Sequence, residues 1–152
     1  MRTIFYPHFV AGRGAFGLLV LRLVTGTAFI LHGWPKFQNA FHWMDRPDAP
    51  APVPGFLQAL AAFSEFGGGI ALIVGFLTPL AALGIACTMA VAIAMVHLPN
   101  GDPFVASKPN QSSFEPAAGY LANAILLMLV GPGTLSLDAL LFGRRASLTP
   151  PR

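Results

Sequence analysis

The sequence predicts an all-α integral membrane protein: a four-helix bundle with a short interfacial helix near its C-terminus. Two observations carry this. The chain is 55% hydrophobic and only 10% charged, with a mean hydropathy of +0.65, whereas soluble domains carry about 25% charged residues. The apolar residues also fall into four runs, three of them close to the roughly 20 residues that a membrane-crossing helix needs and the last somewhat shorter. The 152 residues suggest one domain, with spans at about 15–34, 56–77, 80–98 and 116–130.

The first run, residues 14–37, organises the rest. With 100° between neighbours, Arg22, Thr25, Gly26, Phe29, His32, Gly33 and Lys36 form one stripe of polar, small and aromatic groups. Leu19, Leu21, Leu23, Val24, Ala28, Ile30 and Leu31 occupy the opposite face. A charged stripe inside a span is costly against lipid, so it is expected to face protein or a wet cavity. The polar lead with Arg2 and Arg13 has the charge of a signal peptide. The following run is too long, contains Arg22 and ends without a small-residue cleavage site, so it reads as a retained first span. Pro35 is expected to close that span or bend its last turn.

Residues 38–55 read as a loop rich in proline, with Trp34, Phe41 and Trp43 at the membrane boundary. The second run contains Glu65, with Gly68 and Gly69 at i+3 and i+4 to admit a neighbouring helix. Thr78 and Pro79 suggest a short turn. In the third run Ala86, Ala90, Ala94 and His97 share a face, and Cys87 reads as a packed small residue. Residues 99–113 are polar. Glu115 and Pro116 suit the start of the fourth helix, where Asn123 reads as helix–helix glue. A short amphipathic helix is expected from about Ser136, held to the surface by Arg144 and Arg145.

Four spans put both termini on one side, with Arg2, Arg13, Arg144, Arg145 and Arg152. On the other side Asp45, Asp48, Asp102 and Glu115 offset Lys36, Arg46 and Lys108. Positive charge favours the cytoplasm, so both termini are expected inside. The net charge of +3 is not gathered into a basic face, which speaks against nucleic acid as a partner. One cysteine allows no intramolecular disulfide.

Depth links the buried charges. Arg22 and Glu65 each sit about 10–12 Å into a core about 30 Å thick, from opposite sides. The remaining gap of about 8 Å is within reach of two long side chains, which predicts an Arg22–Glu65 contact, direct or through one water. The pair serves packing on one reading and shapes a ligand site on the other. His32, Lys36, His97 and Glu115 map to the outer ends of their spans and could form a titratable pocket. Histidine there suits a ligand whose carbonyls take up protons on reduction. Three readings of these four groups are open: interfacial anchors, a quinone site, and ligation of metal or haem by His32 and His97. For the last the spacing is a weak signal, and no metal is expected.

These landmarks resemble the DoxX family. Leu21-Arg22-Leu23 and Leu31-His32-Gly33-Trp34-Pro35-Lys36-Phe37 look like its first helix, and Phe63-Ser64-Glu65-Phe66-Gly67-Gly68-Gly69 like its second. Val96-His97-Leu98-Pro99-Asn100-Gly101 resembles the end of its third. Phe114-Glu115 and the stretch from Leu129 through Gly131-Pro132-Gly133 to Asp138 resemble its fourth. The similarity runs through residues 17–142 and departs from the family in the proline-rich loop and the long segment before Glu115. It implies a four-helix protein of the bacterial inner membrane. Relatives include the small subunit of a thiosulfate:quinone oxidoreductase and proteins of quinone handling or oxidant defence. The expected role is a quinone-interacting or membrane-anchor subunit of an oxidoreductase, with a quinone as ligand and a partner subunit supplying electrons. A non-catalytic accessory subunit and a small-solute transporter are the alternatives.

Overall fold

The computed structural model describes residues 9–45 and 53–143. Arg2, Arg46, Asp48, Arg144, Arg145 and Arg152 lie outside them, so the expected basic flank is described only at Arg13. The helices are α1 (Arg13–Gln38), α2 (Gly55–Val74), α3 (Thr78–Ala92), α4 (Glu115–Val130) and α5 (Leu137–Phe142). A π-helical turn, Ile93–His97, extends α3. α1, α2 and the combined Thr78–His97 helix are long and apolar enough to cross a membrane. The 16 residues of α4 are apolar but shorter. The chain is thus an all-helical membrane bundle. One end, the terminal end, carries α5 and the start of α1. The other, the loop end, carries the two long connections.

α1 buries Ala15, Leu18, Arg22, Thr25, Gly26, Phe29 and Gly33, which is most of the expected stripe. Leu23, Val24 and Leu31 are exposed where lipid would lie. Two members depart from the stripe: His32 is exposed and Lys36 half-buried. Pro35 does not close the helix, which runs on to Gln38. Phe37 there packs between Phe63 and Phe66 of α2, at centroid distances of 5.1 and 4.8 Å.

α1 and α2 cross at glycine. A Cβ on Gly26 would lie 2.6 Å from the Gly69 carbonyl oxygen, and one on Gly69 would lie 2.7 Å from that of Gly26. Only glycine permits backbones so close, and in a membrane such close packing is a main source of helix association. Gly68 instead meets Ile85 of α3. Phe29, Leu72, Ile85, Ala124 and Leu127, one or more from each long helix, form the buried centre.

The turn between α2 and α3 falls at Gly75–Leu77, not at Thr78–Pro79. Gly75 is left-handed (φ 69°). Its N–H donates to the Leu72 carbonyl, and the Phe76 N–H donates to that of Ala71, a Schellman ending. Thr78 and Pro79 are the first residues of α3, where a missing N–H costs nothing. Of the α3 face formed by Ala86, Ala90, Ala94 and His97, Ala86 is buried and His97 half-buried, while Ala90 and Ala94 are exposed. Ala82, Ile85 and Met89 join Ala86 in the interior. Cys87 is exposed, not packed.

Candidate functional site: polar groups at two ends of the bundle

At the terminal end Arg22 is 1% exposed. Its Nε donates to the Leu72 carbonyl at 3.0 Å, Nη1 to that of Pro132 at 2.6 Å and Nη2 to that of Leu135 at 2.9 Å. The Pro132 and Leu135 carbonyls lie past the end of α4, and the Leu72 carbonyl accepts only the capping Gly75 N–H, so each can accept from a guanidinium. Asp138, also buried, is the acidic counterpart. Its Oδ1 accepts from the Leu77 N–H at 2.8 Å and its Oδ2 from the Thr78 N–H at 2.9 Å. Those are orphan donors at the start of α3. They also hold Leu77 in a left-handed conformation (φ 46°) that a leucine rarely adopts. α5 is therefore docked by a buried carboxylate, with Leu140 and Leu141 outward. Ser136 caps it by accepting from the Ala139 N–H at 3.1 Å.

The expected Arg22–Glu65 contact is not made. Glu65 is 1% exposed, and the Lys36 Nζ donates to both of its carboxylate oxygens at 2.6 Å. The glycine crossing sets the register: Gly26 meets Gly69 and Gly33 meets Phe66. That places Glu65 level with the last turns of α1. Lys36 is fourteen positions from Arg22, about 21 Å along a helix at 1.5 Å per residue. Each charge is neutralised where it lies.

At the loop end His32, Lys36, His97 and Glu115 each sit in a separate set of contacts. Among the described residues, no hydrogen bond or ion pair joins any two of them. Lys36 is taken by Glu65, with its ammonium 4.7 Å from the centre of the Trp43 ring. The Trp43 indole N–H donates to the Gln58 carbonyl at 2.9 Å. Gln58 is fully buried and holds the first connection: it accepts from the Met44 N–H and donates to Asp45 and the Val53 carbonyl. The Gln58 amide, and then His42, hold the Asp45 carboxyl below its ordinary range.

His97 bonds through Nδ1 to Asp102 at 2.7 Å, and the Ser112 hydroxyl donates to the same oxygen at 2.9 Å. His97 first, then Ser112, keep the Asp102 carboxyl below its ordinary range. Glu115 is exposed at the first turn of α4. His32 faces Tyr120 across the α1–α4 seam at 6.4 Å between ring centres, and Tyr120 packs edge-on to Phe29 at 5.0 Å. Among the described residues neither His32 nor Tyr120 makes a side-chain hydrogen bond. Asp138, Gln58 and Tyr120 are groups to which the sequence alone assigns no role. Asp138 could have been found as a carboxylate set among leucines; nothing local marks Gln58.

The family model for DoxX matches residues 17–98. The chain belongs to the DoxX family. Arg22, His32, Lys36, Glu65 and His97 of this DoxX protein fall inside the matched segment; Glu115, Tyr120 and Asp138 lie beyond it. Inner membrane protein YqjF of Escherichia coli (strain K12) is 34% identical over 125 residues, 82% of this chain and 92% of YqjF. Inner membrane protein YphA of the same strain is 33% identical over 144 residues, covering 91% and 99%. CatD of Bacillus subtilis (strain 168), provisionally named an oxidoreductase, is 30% identical over 126 residues, covering 83% and 87%. No solved structure matches this DoxX protein significantly.

Proposed function

We propose that this DoxX protein is a quinone-interacting inner-membrane component of a redox system, with both termini in the cytoplasm and the loop end outside. The observation that carries the reading is the pair His32 and Tyr120, exposed and half-buried at the loop end of the α1–α4 seam. Both can donate to a ring carbonyl, and neither is used by another side chain among the described residues. A quinone entering from lipid presents two carbonyl acceptors, and its reduction takes up two electrons and two protons. Histidine and tyrosine can bind such a ring and pass protons; the electrons come from a partner subunit. The oxidoreductase naming of CatD supports the same direction.

Two other roles have less support. An accessory subunit would present Trp43 to a partner, whereas the ring covers Lys36 and its N–H is bonded inward. A transporter would need a polar path past Arg22 and Glu65, yet both are closed by protein groups at separate levels.

The test is equilibrium binding of a short-chain quinone to the protein in lipid nanodiscs. Fluorescence of the two tryptophans, Trp34 and Trp43, both at the loop end, reports it. Saturable quenching is expected, with His32→Ala and Tyr120→Phe each weakening binding about tenfold, the worth of one hydrogen bond. Quenching that never saturates would rule the reading out.

A further inference from the structure

Asn123 stands at the midpoint of α4, deep in an apolar helix. Its side chain makes no hydrogen bond among the described residues. A carboxamide has two donors and an acceptor with two lone pairs. In hydrocarbon there is no water to take them, so such a group seeks a partner on another helix. The intrachain helix–helix role expected of Asn123 is therefore vacant. Its surroundings suit an external partner. Gly119, Ala122, Asn123, Leu126 and Val130 fall at i, +3, +4, +7 and +11, on one face of α4. Asn123 is half-buried and the other four are exposed. Nothing lies within 4 Å of where a Gly119 Cβ would be. From Gly119 to Val130 the face carries no charge, Glu115 lying a turn earlier at the helix start, and its one polar group is flanked by a glycine a turn away that lets a backbone come close.

We propose that this face of α4 binds the same face of a second copy of the chain, with Asn123 hydrogen-bonded to Asn123 of the other copy across a two-fold axis. The carboxamide makes a second copy the fitting occupant. It is both donor and acceptor, so a two-fold axis through it satisfies both groups in both chains without any other residue. A lipid tail offers neither. The proposal is independent of quinone binding, since it uses neither His32 nor Tyr120.

The test is the oligomeric state of the full chain in liposomes, read by single-molecule photobleaching across a range of protein-to-lipid ratios. Wild type is expected to pass from monomer to dimer as density rises. Asn123→Leu should raise the dissociation constant about tenfold, the scale of an interhelical amide bond in lipid, and Asn123→Gln should retain most of the dimer. A second measurement does not depend on how Asn123→Leu folds. In a Cys87→Ser background, Ala122→Cys should form an intermolecular disulfide in membranes much faster than Val91→Cys, on the exposed side of α3. Wild type that stays monomeric at every density would overturn the proposal, as lipid or a different protein would then cover the face. So would dimers unaffected by Asn123→Leu, or cross-linking no faster at Ala122→Cys than at Val91→Cys.

Discussion

At the terminal end of the bundle a guanidinium is enclosed by backbone; at the loop end an ammonium is matched to one carboxylate. Arg22 is fully buried and spreads its fork over three carbonyls from two segments. Lys36 keeps 27% of its side chain exposed and gives its point charge to Glu65 alone. The difference follows from the two cations. A planar fork can satisfy several acceptors at fixed angles, while a lysine on a flexible stem suits one partner and a route to water. The terminal end is closed structure that joins α1, α2, α5 and the turn after α4. At the loop end His32, Tyr120 and Glu115 keep hydrogen-bonding capacity within reach of a ligand, whereas the unpartnered Thr78 hydroxyl of the terminal end is sealed inside the protein. A ligand from the membrane would engage the second and not the first.

The sharpest way to break this contrast is at Arg22. Arg22→Leu strands the Pro132 and Leu135 carbonyls and leaves Asp138 without its cation in a buried setting. A loss of about 3–5 kcal/mol of stability is expected, as for other broken buried charge networks. Arg22→Lys should recover little of it, because an ammonium cannot span three carbonyls. Unfolding in a detergent–denaturant titration measures both. Stability of Arg22→Lys close to wild type would show that the charge alone matters and the fork does not.

How far all this could be read from the chain follows the same division. The spacing of Arg22, Thr25, Gly26, Phe29 and Gly33 announced a buried stripe because a helix repeats every 3.6 residues whatever it packs on. The partners were not legible. Counting depth from the ends of two spans assumes that both start at matching levels. The real register is fixed by Gly26 against Gly69, which carries Glu65 past Arg22 to Lys36. Most of what Arg22 binds has no signature at all, since any residue supplies a carbonyl. Two of the three acceptors lie more than a hundred positions away. The partners of the loop-end groups were hidden for a related reason. His97, Lys36 and Glu65 have close partners of their own, and residues that share a level in the membrane need not share a wall.

A smaller effect separates the two members of the loop-end pair. Glu65→Gln removes the charge but leaves Lys36 free to turn toward water while staying over Trp43. It should cost about 1.5–2 kcal/mol, the low end of the range for a hydrogen bond to a charged group. Lys36→Met leaves Glu65 buried without a cation and should cost more, about 3 kcal/mol. The same titration orders the two variants, and the reverse order would mean that Lys36 depends on Glu65 more than Glu65 depends on Lys36.

The least effect is expected at the polar anchor of the second connection, and it is visible only in acid. Asp102 holds His97 and Ser112 through one oxygen, and those bonds keep its carboxyl below the ordinary range. A carboxyl depressed in the folded state adds stability at pH values above its unfolded value, near 3.9. That contribution disappears as pH falls through the lower folded value. Asp45, depressed by the Gln58 amide and then by His42, behaves in the same sense at the first connection. Thermal unfolding followed from about pH 6 to about pH 2.5 should therefore be level at first and fall below about pH 4. Asp102→Asn should flatten part of that fall and leave Arg22 and its carbonyls undisturbed, because an arginine stays charged throughout. A fall of unchanged depth in Asp102→Asn would place the acid sensitivity elsewhere and reduce the His97–Asp102–Ser112 cluster to a surface contact.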